Sequence, residues 1–213
     1  MEYMYTLMYS MLEGLTMTIE IFLLTLTLSV PLGIVVALAR LSSIKAINIT
    51  AHFYILIMRG TPLLLQLIFI FFGLPIVGLT FDRFTAAILA FVLNYGAYFG
   101  EIFRGGIQSI EKAQYEAAEV LGLTPSKIFI RIILPQTIKR ILPSIANEVI
   151  TLVKDTSLVY VIGIGELLRA SKIASNRDAS LIPLVVVGMF YLILTAILTK
   201  AFKMIEEKFS YYR

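Results

Sequence analysis

Cysteine and tryptophan are absent from this 213-residue sequence, histidine occurs once, and charged residues make up only 15%. Without thiols there are no disulfides and no thiolate metal sites. The single histidine, His52, has no companion ligands near it, so it is read as structural or interfacial and no metal site is expected. No GxxxxGK[ST] phosphate loop occurs, and the short run GIGE from Gly163 is no substitute, so any ATP hydrolysis must belong to another chain. No Lys or Arg precedes Arg40. The positive n-region of a cleaved signal peptide is therefore missing, and the first apolar stretch is expected to be retained. No nucleophile and base stand at a recognisable spacing, so catalytic residues are not assigned.

What is present is apolar. Hydrophobic residues account for 59% of the chain and the mean hydropathy is +0.89, far from a soluble domain. An all-α integral membrane protein follows, with residues 1–213 as one transmembrane domain. Against the roughly 20 residues needed to cross a bilayer, five segments stand out: Gly14–Ala39, Phe53–Leu79, Phe84–Phe103, Ile141–Ile164 and Leu181–Phe202. The fourth carries Glu148, Lys154 and Asp155 inside it. The opening MEYMYTLMYSMLEG, rich in Tyr and Met, is expected to be a short helix lying at the interface.

With the N-terminus outside, twelve Lys and Arg fall on one side and four on the other, Arg59 and Lys154 lying within spans. The positive-inside rule then puts the N-terminus outside and the C-terminus in the cytoplasm. The same distribution explains the net charge of +4 without any nucleic acid partner.

One cytoplasmic stretch, residues 109–135, is built like a helical hairpin. Ser109 is placed to cap a helix beginning near Ile110, with Glu111 at its positive end and an apolar stripe of Ala113, Ala117, Val120 and Leu121. Gly122 suits a left-handed C-terminal turn. Thr124 and Pro125 then read as the cap and first turn of a second helix, interrupted at Pro135. Small Ala117 and Ala118 would admit a close partner surface, while Glu116 and Glu119 could engage basic groups on it.

Glu116-Ala117-Ala118, three residues, Gly122, nine residues and Ile132-Ile133-Leu134-Pro135 fill every fixed position of the EAA motif. The chain thereby resembles the permeases of ATP-binding cassette importers. RGTPLLLQL from Arg59, YFGEIFRGGIQSI from Tyr98 and KDTSLVYVIGIGEL from Lys154 are similar to the polar amino acid subfamily. The resemblance implies a five-helix permease of the bacterial inner membrane, in which Glu116, Ala117, Ala118, Glu119 and Gly122 form a coupling helix for a separate ATPase. That subunit would hold the ATP and magnesium, leaving no cofactor in this chain. Further implied partners are a second permease copy or a homologous one and an extracytoplasmic amino acid-binding protein.

Ionisable groups inside a membrane usually face a cavity or a partner. Glu148 and Asp155 are seven residues apart, on one helical face and about 10 Å from each other, with Thr151 between. Asn94, Tyr98 and Glu101 repeat at i, i+4 and i+7. Arg59-Gly60-Thr61-Pro62 interrupts the second segment, with Thr61 able to cap a helix that starts at Pro62 and Gln66 one turn further on. A helix N-terminus beside an arginine suits an α-carboxylate. The two sets together suit a zwitterion with a cationic side chain: arginine, lysine or histidine. Structural alternatives stand beside them. Glu101 can pair with Arg104, Asp155 can belong to a structural KDTSL run, and Arg59 can snorkel to the interface. Glu148 has no basic neighbour at i±3 or i±4, and similar permeases for basic amino acids carry NEVI there. Glu20 is assigned an interhelical hydrogen bond, and Gly96 and Gly100 fit close helix packing. A self-contained secondary transporter or channel using buried carboxylates is the alternative, although no internal repeat is visible.

Overall fold

In a computed structural model, residues 2–209 are described, except the side chains of residues 2–4 and 6. They form nine α-helices joined by short turns, with no strand among the described residues. Helix α1 (Glu2–Leu41) runs unbroken for 40 residues. The separate interfacial helix expected before Gly14 is thus part of the first span. Gly14 does not break α1 because its bare backbone is used for packing: a Cβ there would lie 3.0 Å from the backbone of Glu166 and Leu167.

Helix α2 (Lys45–Gly60) and helix α3 (Leu63–Ile68), which continues as a π-turn and a 3₁₀-turn to Val77, occupy the second apolar segment. The two halves are bent by 103°. Helix α4 (Arg83–Gln108) outruns the expected end at Phe103. Helices α5 (Lys112–Val120) and α6 (Pro125–Ile128) form the hairpin, and a π-turn at Phe129–Ile133 leads into α7 (Leu134–Asp155). A 3₁₀-segment, Thr156–Ile162, then precedes α8 (Leu167–Asp178) and α9 (Ile182–Phe209).

By length and composition, α1, α4 and α9 can each cross a membrane, and the α2–α3 pair can do so as one bent unit. Helix α7, about 33 Å long at 1.5 Å per residue, is long enough but carries Asn147, Glu148, Lys154 and Asp155.

Close contacts give the direction of each pass. Gly33 of α1 meets Phe99 of α4, Leu32 meets Gly96 and Val36 meets Gly100, so α1 and α4 run parallel. A Cβ on Gly96 would come within 2.6 Å of Leu32 Cδ2, which is the small-residue packing expected of Gly96 and Gly100. Because α1 and α4 are parallel, the bent α2–α3 unit must carry the chain back across the bundle. Gly106 faces Ile141 and Thr137 while Tyr95 bonds Asp155, so α7 runs antiparallel to α4. Val187 near the start of α9 packs with Leu7 and Met11, and Phe202 reaches the main core. Helices α1, α4 and α9 thus run one way through the bundle and α7 the other.

Helix α4 is central, with 56% of its apolar window buried against 11% for α9. Phe91, Tyr95 and Phe99 on α4, Ile21 on α1 and Leu152 on α7 form the core. Glu20 does not make the expected interhelical bond among the described residues; it is exposed on α1. His52 is exposed too, and no His, Asp and Glu group suited to a metal occurs among the described residues. Arg213, one of the twelve basic residues on the more positive side, lies outside the described range.

Candidate functional site

Two sites emerge, one on α5 and one inside the bundle. Helix α5 begins at Lys112 with Glu111 in the N-cap position, not at Ser109. Ser109 instead finishes α4, its N–H and hydroxyl both donating to Gly106 O. Gly122 has φ +75°, as expected of a glycine terminator. Its N–H donates to Glu119 O at 2.8 Å and Leu123 N–H donates to Ala118 O at 3.2 Å, which is the paired closure of a Schellman turn.

The face of α5 that packs inward is small. Ala118 is buried against Ile110, Ile128 and Ile133. The expected apolar stripe points outward: Val120 and Leu121 are 88% and 79% exposed, and Ala113, Ala117, Glu116 and Glu119 are exposed as well. Val120 and Leu121 thus form an apolar pair at the end of α5 that packs on nothing within the described residues.

Thr124 and Pro125 do start α6, although Thr124 makes no side-chain cap bond. Pro135 does not interrupt the helix. The π-turn before it shifts the register so that Leu134 N–H donates to Phe129 O, which makes room for the ring and for the missing proline N–H. Residues 125–155 are therefore one continuous helical rod. Gln136 of this rod donates to Gln114 of α5 at 2.5 Å, and Arg140 donates to Ser109 O. Neither cross-brace was readable from spacing.

In the bundle, the eight candidate residues divide into two groups, with Asn94 buried, Arg59 and Thr61 exposed and the rest half-buried. Thr61, Gln66 and Asn94 brace the break between α2 and α3. Thr61 Oγ1 donates to Ile57 O at 2.8 Å and so closes α2; the N-cap position of α3 is taken by Pro62. Gln66 Nε2 donates to Met58 O at 2.9 Å and to Thr61 Oγ1 at 2.8 Å. Buried Asn94 donates from Nδ2 to Met58 O at 2.8 Å and to Gln66 Oε1 at 3.0 Å. These side chains satisfy carbonyls that the broken helix would otherwise leave bare. The adjoining cleft of about 550 Å³ is lined by Ile57, Met58, Leu65, Phe69 and other apolar groups besides Thr61 and Gln66.

The charged group comprises Arg59, Tyr98, Glu101, Glu148 and Asp155. The Arg59 guanidinium stands over the Tyr98 ring, 5.0 Å from its centroid, and its charge reaches both Glu101 and Glu148. Glu101 is also paired with Arg104, whose Nε donates to Oε2 at 3.0 Å. Asp155 accepts from Tyr95 Oη at 2.8 Å. Glu148 is half-buried and lies on the same helix as Asp155. Tyr95 was missed by sequence reasoning, since an aromatic at that position reads as core, which its ring also is.

Residues 29–211 match the family described as binding-protein-dependent transport system inner membrane component. An arginine transport system permease protein, ArtQ, of Bacillus subtilis (strain 168) is 41% identical over 199 residues, covering 92% of this chain and 91% of that protein. A putative glutamine transport system permease protein, GlnP, of Rickettsia conorii (strain ATCC VR-613 / Malish 7) is 35% identical, covering 96% and 94%. Among solved structures, a crystal structure of an amino acid ABC transporter with histidines superposes with a TM-score of 0.90 at 36% identity, covering 96% of each chain. The MetNI methionine ABC transporter in an inward-facing form shares the fold, with a TM-score of 0.73 at 20% identity. This chain therefore belongs to the family of inner membrane components of binding-protein-dependent transport systems, and it is an amino acid ABC transporter permease subunit, not an enzyme in itself.

Proposed function

We propose that this permease imports basic L-amino acids, arginine, lysine or histidine, through the space beside Arg59, Tyr98, Glu101, Glu148 and Asp155. The observation that carries this reading is the Arg59 guanidinium, whose charge reaches one carboxylate on α4, Glu101, and one on α7, Glu148. Arg59 would hold the α-carboxylate, and Glu148 and Asp155 the cationic side chain. The names of the arginine permease and of the structure with histidines lean the same way, while the glutamine relatives mark the wider amino acid class. Thr61, Gln66 and Asn94 serve the site by fixing the break that presents Arg59.

On this reading α5 lies in the cytoplasm and docks on an ATPase subunit through Glu116, Ala117, Ala118, Glu119 and the exposed Val120 and Leu121. That subunit binds ATP and magnesium, and this chain binds neither. Two permeases, this one twice or with a homologue, line the path in the bacterial inner membrane, and an extracytoplasmic binding protein delivers the amino acid. Closure of the ATPase subunits moves α5, and the rod of residues 125–155 carries that motion to Glu148 and Asp155.

The test is ATP-dependent uptake by the reconstituted complex with its ATPase and binding protein, comparing labelled arginine, histidine and glutamine in wild type and Glu148→Gln. Removing one charge-assisted contact should cost cationic substrates about 1.5–3 kcal/mol, or tenfold or more in uptake efficiency, and leave glutamine within a few-fold. Equal loss of all three substrates would make Glu148 structural, and unchanged uptake would take it out of the path.

A further inference from the structure

At the opposite end of the bundle from α5, the N-terminus of α4 and the loop before α8 border an open cleft of about 560 Å³. Its floor is apolar, from Met17, Phe71, Phe84 and Ile164. Its charged groups are neighbours in sequence and opposite in sign: Asp82 and Arg83. Gly163, with φ +85°, forms the far wall, and Arg83 Nε and Arg169 Nη1 each lie 3.5 Å from where a Cβ on Gly163 would sit. Two guanidiniums are thus drawn to one bare stretch of backbone. Glu166, whose charge reaches Arg169, is buried and accepts from the N–H groups of Leu168 and Arg169 and from Tyr191 Oη.

We propose that this cleft is a second amino acid-binding site, at the mouth remote from the coupling helix. Arg83, supported by Arg169, would take the α-carboxylate, Asp82 the α-ammonium, and the apolar floor the aliphatic part of the side chain. Arginine matches a carboxylate with two parallel N–H bonds. Asp82 Oδ1 accepts from the N–H groups of Phe84 and Thr85, and Oδ2 accepts from Thr85 Oγ1, which leaves lone pairs on the open side. The hydroxyl and amide of Thr85 hold the Asp82 carboxyl below the usual carboxylate range, so it is charged at neutral pH. Asp82 and Arg83, both exposed at the open cleft, present opposite charges to the part common to all amino acids. The site rests on the amino acid permease assignment and not on which side chain is carried. It would receive substrate at one mouth before the Arg59 region takes it.

The experiment uses the full reconstituted complex with ATPase and binding protein, measuring labelled amino acid uptake and ATP hydrolysis in the same vesicles. The variants are R83Q, R83K and D82N; Asn at position 82 can still cap α4 through its side-chain oxygen. The result expected is a fall in uptake of roughly tenfold or more in R83Q and D82N, partial retention in R83K, and unchanged half-saturation and rate for binding-protein-stimulated ATP hydrolysis. Unchanged uptake in R83Q and D82N would overturn the proposal. So would a rise in the binding-protein concentration needed to stimulate hydrolysis, which would make the cleft a dock for an acidic side chain of that protein. Wild-type vesicles that hydrolyse ATP without accumulating any amino acid would instead sink the underlying transport reading.

Discussion

Replacing Asn94 with Ala should loosen the α2–α3 break without touching the charged cluster directly. Asn94 Nδ2 makes two hydrogen bonds, to Met58 O and to Gln66 Oε1. Met58 O keeps a second donor, Gln66 Nε2, so that loss costs about 1 kcal/mol. Gln66 Oε1, on a half-buried side chain, loses its protein donor, which costs up to a further 1–2 kcal/mol or so. The Gln66 amide cannot recover by flipping, because its nitrogen is held by Met58 O, Thr61 O and Thr61 Oγ1. The sum, about 2–3 kcal/mol, shifts the balance between bent and straightened forms roughly 30- to 150-fold. Since the chain has no cysteine of its own, two introduced ones can carry spin labels without background. Phe53 and Ile76, 61% and 86% exposed on the two sides of the 103° bend, are suitable positions. The wild-type distance distribution should be narrow and that of N94A broad, with lower thermal stability and a lower maximal uptake rate. An unchanged distance distribution and stability, together with a raised KM for substrate alone, would refute the bracing argument and return Asn94 to the substrate pocket.

Gly122→Ala places a Cβ at φ +75°, a left-handed conformation that costs an L-residue roughly 1–2 kcal/mol, so the Schellman turn should weaken. Co-purification of the ATPase subunit should fall several-fold, and retention at the wild-type level would show that the turn geometry is not what the partner reads. Gly96→Val drives a branched side chain into Leu32 across the α1–α4 contact, with overpacking worth about 1–3 kcal/mol. Gly188→Val on α9, where a Cβ meets nothing within 4 Å, should leave the melting temperature of the isolated chain in nanodiscs unchanged. Equal effects of the two substitutions would sink the packing argument.

The one-dimensional pattern reveals backbone events that depend on a single residue type. Gly122 in a left-handed turn and Pro125 in a first helical turn are such cases, since each follows from its own steric freedom. Long apolar runs likewise located α4 and α9. Choices between competing local partners are harder. Ser109 has a helix behind it and a helix ahead, and nothing in its neighbours reveals that α4 continues to Gln108 and claims its hydroxyl. Pro135 reads as a stop because an ordinary α-helix has no room for its ring, yet a π-turn five residues long supplies the room. Thr61 and Gln66 read as groups facing a ligand, and the periodicity that puts them near a break does not reveal that they also bond its carbonyls. That answer needed Asn94, 28 residues beyond Gln66, to arrive from α4.

The same long-range pairing gives the permease a mechanical logic. Helix α7 bears Glu148 and Asp155 toward one end and Gln136 toward the other. Gln136 bonds α5, Asp155 receives the Tyr95 hydroxyl of α4, and the π-turn keeps the intervening chain helical from Pro125 onward. A rod of this kind transmits displacement, because stretching it would break successive backbone hydrogen bonds. It also transmits rotation, and rotation is what would move Glu148 and Asp155, seven residues apart on one face, relative to Arg59 on the separately braced α2. Helix α4 is fixed to α1 through Gly33, Gly96 and Gly100 with no space for sliding side chains. Gly106 of α4 seats just as closely on Thr137 and Ile141 of α7, so a push at α5 is carried by α4 and α7 together and opposed at the α1–α4 contact. On the proposed reading, motion of Glu148 and Asp155 relative to Arg59 would have to be taken up at the brace from Asn94 to Met58 and Gln66, the contact that N94A loosens.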